Sequence, residues 1–282
     1  MSGAILDGKA VAAGILNDVM ERAARLQEND VLPTLAFLMI GDSPPARVYL
    51  RRLQRLSGQT GIRVLSPCIA ESANPEMLKR AVQGLSNDES IDGVLVQLPL
   101  PEHLAHVDLS ALLDWRKDVD AITVHNVGRL YLDLPGPRPP TAEAMMDILD
   151  FAGIPVTGRH AVVVGRSNVV GHPVAELLLQ RDATVSVTHR QTADLGAMTR
   201  QADILLVGAG EPGLIRAEMV SPGVVIVDAG INVTEHGVVG DVLFEECRDI
   251  ASAITPVPGG VGPVTNAVVL RHVIESAEQR HG

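Results

Sequence analysis

A chain of 282 residues, at roughly 100–200 residues per domain, makes one large domain or two modest ones. Its 46% hydrophobic and 20% charged residues, with a mean hydropathy of +0.20, allow a sizeable buried core and exclude a disordered chain. Three Phe, two Tyr and one Trp make no stacking platform for single-stranded nucleic acid, and a net charge of −11 is a poor footprint for nucleic acid or an anionic membrane.

Lys9–Leu26 has helical apolar spacing, and Thr34–Ile40 behind it predicts a strand. Helix Arg47–Thr60, strand Arg63–Cys68, helix Pro75–Leu85 and strand Gly93–Leu98 continue the alternation. Leu134–Pro140, reading LPGPRPP, is too rich in proline for either regular element and marks a boundary. Beyond it come helix Thr141–Phe151, strand Ala161–Val164, helix Val169–Gln180 and strand Thr184–Val187. Helix Asp194–Gln201 and strands Ile204–Val207 and Val224–Val227 follow. Several strands carry Val, Ile and Leu on both faces, as strands covered by helices on each side do. Strand then helix, repeated, predicts βαβ units and an α/β protein with parallel sheets. The expected division is an N-terminal α/β domain over residues 1–140 and a nucleotide-type domain over 141–262. The closing helix, about Pro263–Ser276, fits either by periodicity; residues 263–282 are expected to return to the first domain, as closing helices of two-lobed enzymes commonly do.

No apolar run approaches the ~18–20 residues of a membrane span. MSGAILDGKAVAAG has neither the basic start nor the long apolar stretch of a secretory signal. Cys68 and Cys247 stand too far apart for a metal or redox motif and imply no disulfide framework, so no metal is expected. The chain reads as soluble and cytoplasmic.

AVVVGRSNVVGHPVAELLL reads as strand, Gly-rich turn and helix, with Gly165 ending the strand and Gly171 opening the helix. Backbone N–H groups at a helix start bind phosphate, and small residues let the backbone approach it. The spacing is G-x-S-x-x-x-G rather than G-x-G-x-x-G, so the turn alone reads equally as a tight βα connection with no ligand. The next strand runs into Val187-Thr188-His189-Arg190, where doubly wound folds discriminate NAD from NADP. Arg190 there and Arg166 in the turn make a phosphate clamp and favour NADP; each alone also reads as a solvated surface charge.

Five segments carry a resemblance: DGVLVQLPLPEHL at 92–104, KDVDA with NVGRL within 117–130, VVVGRSNVVGHP at 162–173, VIVDAGIN at 225–232 and ITPVPGGVGPVT at 254–265. In this order they resemble the bifunctional methylenetetrahydrofolate dehydrogenase/methenyltetrahydrofolate cyclohydrolase family (FolD) over essentially the full length. The resemblance implies an N-terminal catalytic lobe, a Rossmann-like NADP lobe, a folate cleft between them, and a cytosolic homodimer. It implies tetrahydrofolate one-carbon derivatives as substrates, with no nucleic-acid or membrane partner. The implied cofactor residues are Gly165, Arg166, Ser167, Val170, Gly171, His189, Arg190, Gly208, Ile231 and Thr265. The implied substrate residues are Tyr49, Gln97, Leu98, Pro99, Asp120, Pro258, Gly259, Gly260 and Pro263, with Tyr49, Gln97 and Asp120 also catalytic. Read alone, Asp120 is an exposed acid and Gln97 a strand-end amide.

The family carries its catalytic lysine four residues after a tyrosine, where i and i+4 share a helix face. Here the tyrosine is Tyr49, twelve residues before Gly61 as the pattern requires, and the lysine position is Leu53. Leucine has no proton to give and no lone pair; read alone, it is an ordinary apolar helix residue. Arg52 and Arg55 lie off that face, and arginine stays protonated at any relevant pH. Ala46 replaces the family's serine, the DVDGFHPxN pattern becomes Asp118-Val119-Asp120-Ala121-Ile122-Thr123-Val124-His125-Asn126, and PCTPxG becomes Pro139-Pro140-Thr141-Ala142-Glu143-Ala144. Asn266 and His272 stand at unusual positions, and His125 and His272 are weak candidates for a replacement base. The expectation is NADP-dependent oxidation of methylenetetrahydrofolate with the cyclohydrolase step weak or absent. Two alternatives stay open: full bifunctional activity, and a repurposed folate-dependent transfer or binding protein.

Overall fold

Val, Ile and Leu on both faces of a strand demand cover on both faces, and the computed structural model, which describes residues 3–235 and 237–282, supplies it. In chain order, β1 (Ala4–Ile5), α1 (Gly8–Gln27), β2 (Thr34–Ile40), α2 (Pro44–Thr60), β3 (Arg63–Leu65) and β4 (Cys68–Ile69) lead to α3 (Pro75–Asn87) and β5 (Gly93–Val96). Helices α4 (Val124–Tyr131) and α5 (Pro140–Phe151) precede β6 (His160–Val164), α6 (Gly171–Leu179), β7 (Thr184–Thr188), α7 (Leu195–Thr199) and β8 (Ile204–Val207). The chain ends with β9 (Val225–Asp228), β10 (Asn232–Thr234), β11 (Gly237–Val239), α8 (Phe244–Arg248), β12 (Ala253–Ile254) and α9 (Val261–His281). Every residue of β5, β8 and β9 is buried. No helix among the described residues is long and apolar enough to cross a membrane.

The chain divides into two compact α/β units. One, Gly14–Arg138 with Asn266–Gly282, holds a four-stranded sheet in which β2 pairs in parallel with β3 and β4 on one edge and β5 on the other. The other, Pro139–Thr265 with the chain up to Ala13, holds a six-stranded sheet of order β1-β12-β9-β8-β6-β7, all parallel. This second sheet is Rossmann-like: β6 has β7 on one side and β8 on the other, so the strand order reverses between β6 and β8. The expected strand Arg63–Cys68 is two short strands, β3 and β4, because Pro67 between them has no N–H for a ladder. The strand expected to reach Leu98 stops at Val96, and Leu98 and Pro99 are exposed.

In the four-stranded unit, Val19, Leu35, Phe37, Leu50, Leu53, Leu95 and Val119 share one core with Val269, Val273 and Ile274 of α9. The end of α9 is held by charge. Asp92, 3% exposed, accepts from Arg280 Nη1 at 2.7 Å and from His281 Nε2 at 3.0 Å, and also from the Thr34 N–H at 2.9 Å. Removing one partner leaves a buried carboxylate short of its cation. Arg280→Ala is therefore expected to cost about 3 kcal/mol, the low end of the range for a broken buried pair because the guanidinium is partly wet. Urea unfolding checks it: the midpoint falls with an unchanged slope, whereas an unchanged midpoint contradicts the role.

Candidate active site

Open α/β sheets bind ligands beyond the carboxyl ends of their strands, where strand order reverses. In the six-stranded unit that point lies past β6 and β8, and Gly165 and Gly208 are the residues that follow those strands. Gly165 has φ +112°, which an L side chain rarely adopts, and a Cβ there would run into the Gly208 carbonyl oxygen. A Cβ on Gly171, the first residue of α6, would run into the Gly165 carbonyl oxygen. A Cβ on Gly208 would stand 2.9 Å from Cγ1 of Val170. Gly165, Val170, Gly171 and Gly208 are thus one tightly closed group. Ser167 Oγ accepts the Val170 N–H at 3.2 Å, and His172 N–H donates to the Ser167 carbonyl at 3.0 Å, which shapes the turn before α6. Arg166 is exposed in that turn and Arg190 is exposed beyond β7, while the His189 N–H donates to Thr192 Oγ1 at 2.9 Å. Ile231 is exposed after β9, and Thr265 Oγ donates to the Val261 carbonyl on α9 at 3.2 Å. The loop after β12 places Pro258 at the surface, Gly259 half-buried and Gly260 buried, and Pro263 is half-buried in the first turn of α9. A helix start, backbone without Cβ atoms and two exposed guanidiniums fit the diphosphate of a dinucleotide and an added 2′-phosphate.

The four-stranded unit holds Tyr49, Leu53, Gln97, Leu98, Pro99 and Asp120. Its strand order reverses between β2 and β5, and Gln97 follows β5 there, its Oε1 accepting the Ile40 N–H at 3.1 Å and its own N–H donating to the Leu38 carbonyl at 2.9 Å. Asp118 bridges in parallel to Val94, so its segment runs along β5 and carries Asp120 toward the same end of the sheet. Asp120 is followed by Ala121 at φ +53°, a left-handed conformation costing a residue with Cβ roughly 1–2 kcal/mol. The turn is held from three sides. Asp118 accepts from the Ile122 and Thr123 N–H groups at 3.1 and 2.8 Å and from Asn126 Nδ2 at 2.9 Å. Buried His272 on α9 donates through Nδ1 to the Val119 carbonyl at 2.8 Å.

On α2, Ala46, Leu50, Leu53, Ser57 and Thr60 form a buried stripe at helical spacing. Leu53 is fully buried in its middle. Tyr49 flanks the stripe, its ring meeting Phe37 edge-on at a centroid distance of 5.7 Å and 79°. Burial, then the nearby Asp120 carboxylate, raises the Tyr49 phenol well above its ordinary range. Asp120 is itself pushed up to about 7 by burial and the Asp118 carboxylate, against the opposing charge of His272. Tyr49 and Asp120 are thus brought together without a lysine on the Tyr49 face four residues on. His125 is elsewhere engaged, stacked on Trp115 at 4.1 Å. Asp118 and the His272 contact to Val119 are the supports that sequence reading missed. Asp118 had a readable signal, an acid five residues before Thr123, whose hydroxyl caps α4.

Residues 6–120 match the tetrahydrofolate dehydrogenase/cyclohydrolase catalytic domain, and residues 139–281 match the NAD(P)-binding domain of the same family. The bifunctional protein FolD of Halothermothrix orenii is 43% identical over 282 residues, which covers 99% of each chain. The structure of the bifunctional enzyme FolD from Campylobacter jejuni aligns with a TM-score of 0.96 at 40% identity, covering 99% of this chain and 100% of that one. The FolD of Trypanosoma brucei, solved with NADP cofactor and inhibitor, aligns with a TM-score of 0.94 at 34% identity, covering 99% and 98%.

Proposed function

The chain belongs to the tetrahydrofolate dehydrogenase/cyclohydrolase family, and from that premise we propose that it oxidises 5,10-methylenetetrahydrofolate with NADP and hydrolyses the methenyl product weakly or not at all. When bound, NADP supplies the hydride acceptor, held by the Gly165–Gly171 turn with Arg166 and Arg190 on its 2′-phosphate. The chain's own residues orient the folate. Asp120 accepts hydrogen bonds from the amide and amine edge of the pterin, and Gln97, tied by its Oε1 to Ile40, has its N–H2 to offer a substrate atom. Loss of hydride from the methylene carbon leaves a methenyl cation whose charge the two flanking nitrogens share. That step needs orientation rather than proton transfer.

Hydrolysis is different. Water must add to the amidinium carbon and give up a proton, which calls for a positioned group of suitable pKa. The observation that carries the reading is the setting of position 53: leucine, fully buried in the middle of the buried stripe of α2, on the Tyr49 face where the resemblance places the family's lysine. Tyr49 does not replace the ammonium as a proton acceptor, because its raised pKa keeps the phenol neutral at any working pH.

The orienting role of Asp120 makes a pH prediction. Its carboxyl titrates at about 7, so below that value the pterin edge loses its acceptor. kcat/KM for methylenetetrahydrofolate is expected to be flat above about 8 and to fall about tenfold per pH unit below 7. Initial rates of NADPH formation across pH check it. A profile flat down to about pH 5 contradicts Asp120 as the acceptor. Absence of NADPH formation at any pH contradicts the dehydrogenase reading itself.

A further inference from the structure

Two buried carboxylates take no part in the proposed chemistry: Asp228, which ends β9, and Asp241, in the loop beyond β11. Asp241 is fully buried. Its Oδ2 accepts the backbone N–H groups of Ala209 at 2.6 Å and Gly210 at 2.8 Å, and its Oδ1 accepts from Asn232 Nδ2 at 2.8 Å. Asp228, which ends β9, accepts at Oδ1 from the N–H groups of Gly230 at 2.8 Å and Asp241 at 3.2 Å, and at Oδ2 from Val242 at 3.0 Å. Together they tie three separate stretches of backbone, 209–210, 228–232 and 241–242, into one block.

A buried ionised carboxylate held by N–H dipoles is costly, and an apolar residue of similar size stabilises a fold as well or better. What a satisfied polar network provides is position. The position here is specific. Gly208 donates its N–H to the Val164 carbonyl at 2.9 Å, beside the closed Gly165 turn, and Ile231 lies in the same tied block.

We infer that Asp241 is a positioning residue for the cofactor, holding the loops after β8 and β9 at the rim of the Gly165–Gly171 turn so that NADP meets a preformed wall. This rests on the assignment of that turn to NADP.

The test is calorimetric titration of wild-type and variant protein with NADPH and, separately, with tetrahydrofolate. In Asp241→Asn the remaining oxygen still accepts from Ala209 and Gly210, but the new N–H2 opposes that of Asn232. The Kd for NADPH is expected to rise about tenfold or more while that for tetrahydrofolate stays within about twofold. The double variant Asp241→Asn with Asn232→Asp restores one donor facing one acceptor and is expected to recover NADPH binding to within about threefold of wild type. Asn232→Ala, at a half-buried position, keeps the test alive if Asp241→Asn does not fold, with an expected loss of about threefold for NADPH alone. NADPH binding unchanged in every folded variant overturns the inference, and so does equal weakening of both ligands, the mark of a merely structural role. A wild-type protein that does not bind NADPH at all overturns the cofactor assignment and this inference with it.

Discussion

Asp120→Asn is expected to lower kcat/KM for methylenetetrahydrofolate by about 100-fold, ~2.7 kcal/mol, while leaving the Kd for NADPH within about twofold. In the proposed role the carboxylate offers acceptors to both N–H groups of a pterin edge, and hydrogen bonds to a charged group are worth roughly 1.5–3 kcal/mol each. An asparagine keeps one acceptor and turns a donor against the other N–H. Stability should move the opposite way. Asp120 has a folded-state pKa raised to about 7, so its contribution to stability is full at acid pH and is lost as pH rises from the ordinary carboxyl range through 7. At pH 8 the native chain therefore carries a half-buried charge that costs stability and that the asparagine variant lacks, and the variant should melt at the same temperature or higher. Steady-state rates and thermal melts at that pH check both halves. A variant that loses activity because it unfolds would contradict the account, as would one with unchanged kcat/KM.

The second large effect concerns position 53. Leu53→Lys is expected to raise the rate of enzymatic methenyl hydrolysis at least about tenfold, which places an acid–base group of the right type on the Tyr49 face. It should also cost about 2–3 kcal/mol, the order of a buried leucine side chain, since the lysine stem recovers only part of the apolar burial. A separate signature reports whether the ammonium points toward Asp120. Close to Asp120 it favours the ionised carboxylate and moves the acid limb of the dehydrogenase profile down by about one pH unit or more. Leu53→Met, a volume-conserving swap, serves as control, with a cost under about 1.5 kcal/mol and no gain in hydrolysis. If Leu53→Lys folds and shifts the acid limb yet leaves hydrolysis unchanged, position 53 is not what limits that step.

The central strands were readable because Val and Ile on both faces mean cover on both faces; β2, β6, β8 and β9 stand within one residue of where that pattern places them, and β5 stops two residues short. Two-residue strands such as β1 and β12 carry no period to read. Nothing local told that the start of the chain pairs Ala4 with Ala253, and the first residues therefore group with the six-stranded unit. Helix α4 was missed because its apolar residues Val124, Val127 and Tyr131 lie exposed, so its pattern does not read as a helix with one buried face. The glycine turn was readable from spacing because backbone contact forbids a Cβ at Gly165 and Gly171. Tyr49 and Leu53 drew attention only through resemblance. The supports of Asp120 were hidden for a different reason: His272 and Val119 are 153 residues apart in the chain. Hydrogen bonds across such separations leave no local pattern.

The central claim is that this chain completes the oxidation and stalls before the hydrolysis. It is tested most directly by following methenyltetrahydrofolate absorbance and NADPH fluorescence in one time course with methylenetetrahydrofolate and NADP, beside a methenyltetrahydrofolate control without protein. The account predicts that NADPH and methenyl rise together in equal amounts, and that methenyl then decays no faster than in the control. NADPH formation with no accumulation of methenyl, and 10-formyltetrahydrofolate appearing at the same rate, would contradict it.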